Sequence, residues 1–379
     1  MAAVAINEER VLDEFMELVA IDSETKHEGK IARVLKAKFE ELGLQVEEDN
    51  ASETTDHEAN NLICTLPKTT DNIDPIYFTS HMDTVVPGQG IKPFVEDGYV
   101  KTDGTTILGA DDKAGIAAML EAVKLIKEQQ IEHGDIQFVI TVGEESGLIG
   151  AKALDESKLI AKYGYALDSD GLVGNLITAA PTQAKVNVDV YGKKAHAGVE
   201  PEKGVSAITV SAKAVSKMPL GRIDEETTAN IGRFEGGSQT NIVCDHVKIT
   251  AEARSLVKEK LDAQVDEMEK AFHEAAKEMN ATAEVDIDLM YPGYKLSEED
   301  QVVAVAMQAV SNIDREPKTL RSGGGSDANI FAGYDIPTVN LAVGYEEIHT
   351  TDEKMPISEL YKVTELVVSI IQETVAVSK

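Results

Sequence analysis

Four short apolar runs in this chain end at or just before acidic or imidazole side chains, and that pattern restricts the fold more than any other feature. Residues 76–80 lead into His81-Met82-Asp83, and residues 136–142 into Gly143-Glu144-Glu145-Ser146-Gly147. Residues 165–167 lead into Asp168-Ser169-Asp170, and residues 338–341 precede Glu346-Glu347-Ile348-His349. Short apolar runs bounded by turn residues read as buried strands. Between them lie segments with apolar residues at helical spacing, at 8–20, 28–42, 113–128, 300–311 and 358–377. Further strands are expected at 45–48 and 61–66, a hairpin within 85–109 and a short helix near Ala151. Strands alternating with helices predict an α/β sheet with helices on both faces. In such a sheet, ligands bind past the carboxyl ends of the strands.

The alternation breaks near residue 179. From there the order is strand 184–191, helix 205–218, strands 228–234 and 240–253, helix 259–279 and strand 283–290. That order is the split βαβ, ferredoxin-like arrangement of four antiparallel strands and two helices. The α/β pattern then resumes. A chain of 379 residues is long for one core. The division expected is a larger domain at 1–178 plus 294–379, with a small α+β domain inserted at 179–293.

Lys and Arg number 36 against 67 Asp and Glu, a net charge of −31. Such a chain repels nucleic acid and anionic membranes, so neither is an expected partner. Acidity alone does not imply metal binding, because solvated helix faces carry much of it. No run reaches 18 consecutive apolar residues, and the start of the chain lacks the basic and apolar regions of a secretory signal. The two cysteines, Cys64 and Cys244, are too few for a thiolate zinc cage and read as reduced thiols in a cytoplasmic protein.

Each strand-end cluster has an ordinary explanation when taken alone. His81 and Asp83 are two apart, so on an extended chain they point the same way, and Asp83 could orient the His81 ring. Alone, the pair is a common chance occurrence. Asp111 and Asp112, in Gly109-Ala110-Asp111-Asp112-Lys113-Ala114-Gly115, open a helix, where one Asp suffices as a cap and the other is left over. Glu144-Glu145 could be a solvated turn, but two adjacent acids at a buried strand end are costly without compensation. His349 alone would be a surface histidine. The combination at one sheet edge points to metal binding. Mixed imidazole and carboxylate donors suit zinc, and three carboxylates plus a hydroxide would balance two divalent cations. Cations lower the pKa of a bound water, and a nearby Glu can take its proton.

Taken in order, His81-Met82-Asp83, the Gly109–Gly115 segment, the Gly143–Gly147 segment and Tyr165-Ala166-Leu167-Asp168-Ser169-Asp170-Gly171 resemble the co-catalytic di-zinc metallopeptidase family that contains peptidase T, aminoacylase and glutamate carboxypeptidase. The spelling around Asp111 is most similar to the peptidase T branch. The resemblance runs from the 70s to the 350s and implies a zinc-exopeptidase-like α/β/α catalytic domain with an inserted lid domain. It implies that His81 and Asp168 hold one metal, Glu145 and His349 the other, and that Asp111 bridges them. Asp168 is preferred to Asp170 because it is nearer the strand end. Glu144 becomes the general base, Asp83 the partner of His81, and the Asp111–Asp112 peptide bond is expected to be cis. The same resemblance assigns substrate contacts to three residues. These are His196 in Gly192-Lys193-Lys194-Ala195-His196-Ala197-Gly198, Asn241 in Gln239-Thr240-Asn241-Ile242-Val243, and Arg321 before Ser322-Gly323-Gly324-Gly325. A guanidinium pairs with a carboxylate as a two-pronged fork, which suits Arg321 to a peptide carboxylate.

The expected activity is hydrolysis of a short peptide's amide bond, as in a di- or tripeptide aminopeptidase, by a metal-bound water that Glu144 activates. The expected cofactors are two Zn2+, with Co2+ or Mn2+ as substitutes. Two rivals are an N-acyl-amino-acid deacylase, which would need the same metals and carboxylate clamp, and a non-catalytic metal-dependent binding protein, which would lack the base. The inserted domain is also a candidate homodimer surface through the helix at 205–218.

Overall fold

The computed structural model describes residues 4–378 and divides the chain into two compact units. The larger holds the chain up to Thr178, Leu296–Arg321, and the chain from Ser326 onward. The smaller holds Ala179–Lys295 and Ser322–Gly325.

In the larger unit, strands lie in the order Gln45–Glu48, Leu62–Leu66, Ile136–Thr141, Ile76–His81, Tyr163–Ser169, Thr338–Ala342 and Asn175–Ala180, with Lys318–Arg321 beside the last. The four from Ile136–Thr141 to Thr338–Ala342 run parallel. Their neighbours on either side are antiparallel. Ile76–His81 and Ile136–Thr141 are buried at every position. That is why they read as unbroken apolar runs rather than alternating ones.

Helix Ala110–Gln129 packs against Ile76–His81 and Tyr163–Ser169 and against helices Glu8–Val19 and Ile357–Ser378. Its small residues permit close approach, and a Cβ on Gly115 would come within 2.9 Å of the Leu167 carbonyl oxygen. Its buried Glu121 is neutralised by Arg10, which donates through Nε at 2.7 Å and Nη2 at 2.8 Å. Asp111 and Asp112 have non-helical dihedrals, so the regular helix begins at Lys113.

The smaller unit is an antiparallel sheet in the order Gly221–Arg222, Thr227–Gly236, His246–Ser255, Thr182–Tyr191 and Thr282–Tyr291. Helices Ala207–Lys217 and Lys258–Glu278 pack on it. Thr182–Tyr191 alternates buried and half-exposed positions, as a strand covered on one face does. Val186, Val188, Ile249, Met268 and Phe272 belong to a core cluster of its own.

Three details depart from the sequence reading. The strand expected over 240–253 begins only at His246, because Gly237, with φ +88°, ends the preceding strand and Val243 bonds back to Ala195. Asn175–Ala180 is a strand that the turn glycines before it obscured. The smaller unit also extends to Lys295 and takes in Ser322–Gly325. Tyr294–Lys295 pair with Ala180 and Ala179, Ser322 donates its N–H to the Ala179 carbonyl, and Gly325 lies against the Tyr291 ring. Among the described residues, no helix is long and apolar enough to cross a membrane.

Candidate metal centre and active site

Because the four central strands are parallel, their carboxyl ends share one edge. His81 sits there in register with Thr141, two residues before Gly143. His81 Nε2 lies 3.1 Å from Asp111 Oδ1 and 3.7 Å from Asp168 Oδ1. His349 Nε2 lies 2.9 Å from Glu145 Oε1 and 3.3 Å from Asp111 Oδ2. Asp111 therefore offers one oxygen to each imidazole. Two groups result that could each hold a metal ion, His81 with Asp111 and Asp168, and Asp111 with Glu145 and His349. A third grouping, His81 with Glu144 and Glu145, overlaps both.

Local structure aims each donor. His81 Nδ1 donates to the Asp83 carbonyl oxygen at 2.9 Å, which leaves Nε2 facing Asp111. The Asp83 carboxylate is farther from the ring, at 3.4 Å. It accepts instead from Thr25 Oγ1 at 2.7 Å and from the Glu144 backbone N–H at 3.0 Å. Asp83 thus orients the ring through its backbone and the Glu144 turn through its side chain. The Asp111–Asp112 peptide bond is cis. Glu353, buried, accepts from the N–H groups of Leu108, Gly109 and Asp111 at 2.8, 2.8 and 3.1 Å and so fixes the segment entering Asp111. Asn340 grips the backbone of Asp168 from both sides, at 2.6 and 3.0 Å, and Tyr345 donates to Asp168 Oδ1 at 3.4 Å. Asp170 is exposed, away from this packing.

The electrostatics show a site short of positive charge. Burial, reinforced by the Asp168 carboxylate, pushes the Glu144 carboxyl well above its ordinary range. Burial pushes Asp168 up to about 7. Burial alone would lower the His81 imidazole, but the nearby carboxylates of Asp111, Asp168 and Asp83 raise it. Hydrogen bonds to Asp111 and Glu145 raise His349 to about 10. Asp111 stays ionised, since bonds from His349 and His81 outweigh its burial. Protons thus collect where cations would be expected. The donor set, two imidazoles and three carboxylates in two groups, fits a pair of divalent metals.

His196, Asn241 and Arg321 belong to none of the metal-donor groups among the described residues. His196 and Asn241 lie in the smaller unit on paired segments, with Ala197 N–H donating to the Asn241 carbonyl at 2.9 Å and a bridge between His196 and Ile242. Both are exposed. Arg321 is exposed at the end of Lys318–Arg321. Sequence reasoning missed Glu353, Asn340, Tyr345 and Asp327. Asp327 is buried, accepts from Thr141 Oγ1 at 2.5 Å, and is pushed to about 6 by burial. It stands two residues after Gly325 and could have been noticed there. Asn340 is a single polar residue inside the expected strand 338–341, and Tyr345 and Glu353 are single polar residues in the loop beyond it.

Residues 77–373 match the profile of Peptidase family M20/M25/M40. The chain belongs to that family. A Bacillus subtilis (strain 168) relative, uncharacterized protein YqjE, is 68% identical over 97% of this chain and 99% of its own. The aminopeptidase PepT from Bacillus cereus ATCC 10987 is 65% identical, with a TM-score of 0.94 over 98% of this chain and 99% of that one. A tripeptidase from Staphylococcus aureus is 52% identical, with a TM-score of 0.95 over the same shares. This protein is therefore a peptidase, of the branch the sequence motifs resemble. The expected arrangement of a catalytic domain with an inserted domain is the family's architecture.

Proposed function

We propose that this peptidase removes residues from short peptides, tripeptides foremost, as an aminopeptidase using two Zn2+. The observation that carries the reading is Asp111, whose two oxygens face two separate imidazoles, each backed by its own further carboxylate. His81 and Asp168 would hold one cation, Glu145 and His349 the other, with Asp111 between. When bound, the cations supply Lewis acidity toward the scissile carbonyl and acidify water.

The remaining work falls to side chains of this chain. Glu144 is left out of the proposed ligand set, since each of the two groups has three donors without it. Its carboxylate takes the proton released by the attacking water and passes it to the leaving amine. Asp83 holds its backbone N–H. Arg321 would grip the peptide carboxylate, and His196 and Asn241 would contact the substrate from the smaller unit. That unit would act as a lid, with hinges near 178–182 and 291–295. It remains the candidate dimer surface. Mixed nitrogen and oxygen donors favour zinc and would also accept Co2+ or Mn2+.

A panel of tripeptides, dipeptides and N-acyl amino acids tests the substrate class. Free tripeptides should be cleaved fastest. Cleavage confined to acylated amino acids would overturn the peptide assignment in favour of a deacylase.

A further inference from the structure

The turn carrying Glu144 and Glu145 is held from behind by residues outside both cation groups. The His57 ring is only 1% exposed, and its Nδ1 lies 2.7 Å from Oε1 of the fully buried Glu28. Its Nε2 lies 3.4 Å from Ser146 Oγ. The ring edge also rests on Gly143, where a Cβ would come within 2.3 Å of His57 Cε1. Glu28 is itself anchored, because its Oε1 accepts from the Lys26 N–H at 3.0 Å.

Gly143 has φ +58°, a left-handed conformation that glycine adopts without strain, directly before Glu144. On the far side, the Asp83 carboxylate holds the Glu144 N–H. Within the turn, the Gly143 carbonyl accepts from Ser146 Oγ and Ile149 N–H, and the Glu144 carbonyl from Gly147 and Leu148 N–H. A glycine hinge between two anchors is immobile only while both are present. Burying an imidazole and a carboxylate is costly unless each is well bonded, and one Glu28 oxygen, Oε2, has no hydrogen-bond partner.

We infer that the Glu28–His57 pair is a positioning device that presses on Gly143 and Ser146 and so sets the aim of the Glu144 and Glu145 carboxylates. The inference rests on the roles given to those two residues above. Neither His57 nor Glu28 belongs to the metal-donor groups among the described residues.

The test uses the full-length, metal-loaded enzyme with a tripeptide substrate and the variants His57→Ala, His57→Gln and Glu28→Gln. Misplacing a reacting group by about 1 Å can cost ~100-fold. The His57→Ala variant should lose ~10- to 100-fold in kcat, with KM changed less than about threefold. Its cation at the Glu145–His349 group should be easier to remove in a chelator competition. Amide exchange at Gly147, Leu148 and Ile149 should quicken while that of the central strands does not. His57→Gln, which can still reach Ser146, should recover part of the kcat, and Glu28→Gln should fall between. Unchanged kcat together with unchanged exchange overturns the inference, as does destabilisation spread evenly through the protein with normal kcat per folded molecule. Quickened exchange in the turn with normal kcat would uphold the brace and instead refute the assignment of Glu144. If His57→Ala does not fold, Ser146→Ala and Glu28→Gln carry the same readouts.

Discussion

At Asp111, one carboxylate meets two imidazoles, and the charge around it decides how cations enter. In the cation-free protein His349 holds a proton up to about pH 10, because Asp111 and Glu145 hydrogen-bond to it. Its folded value lies above the ordinary 6.5. Its contribution to stability is therefore full below about 6.5 and fades as pH rises toward 10. A metal needs the neutral ring nitrogen, so binding must expel that proton. Adding Zn2+ to metal-free protein at pH 7 in weak buffer should release at least about one proton per chain. A pH-stat trace with no release would show that His349 does not ligate. Some of this was legible in the residues themselves. Asp168 stood out from Asp170 by its nearness to the strand end, and the structure packs only Asp168 against Asn340 and Tyr345. Glu353 was not legible, since an acid in a loop carries no sign that three amides will converge on it.

Among elements, the parallel strands bring the acidic and imidazole side chains to one edge. Their apolar runs were readable because strands buried on both faces cannot alternate. The hairpin, Phe94–Glu96 with Tyr99–Lys101, and the long helices were readable from turn residues and spacing. Asn175–Ala180 was not, because turn glycines crowd its start. The strand expected at 240 failed for a different reason, since tertiary pairing with the segment around Ala195 overrode a local β pattern. The segment from Leu108 to Asp111 has its own consequence. Replacing Glu353 by Ala leaves three amides without their acceptor, and each unsatisfied group costs about 1–3 kcal/mol. Glu353→Ala should weaken metal binding by ~10- to 100-fold, as loss of a residue that supports a ligand does. Chelator competition measures this, and an unchanged affinity would contradict the role given to Glu353.

At the scale of the whole molecule, the two hydrophobic clusters share no residue. The sequence pattern changes near 179, while the transfer of Ser322–Gly325 to the smaller unit could not be read from a Gly-rich turn. Residues 179–295 contain all of the smaller unit's sheet and both of its helices. Expressed alone, they should fold cooperatively, with a sigmoidal thermal transition followed by circular dichroism. A gradual, featureless melt would show that this unit needs the rest of the chain. Every proposed metal ligand lies in the larger unit, so chelation should leave the isolated smaller unit's melting unchanged.

In the proposed function, Glu144 moves the proton in a site whose metals are held by other residues. Glu144→Gln tests it most directly, with metal content and tripeptide turnover measured on the same sample. The variant should hold two metals per chain, as in the unaltered protein, with turnover reduced by at least ~100-fold and up to ~10,000-fold. Near-normal turnover with both metals bound would contradict it.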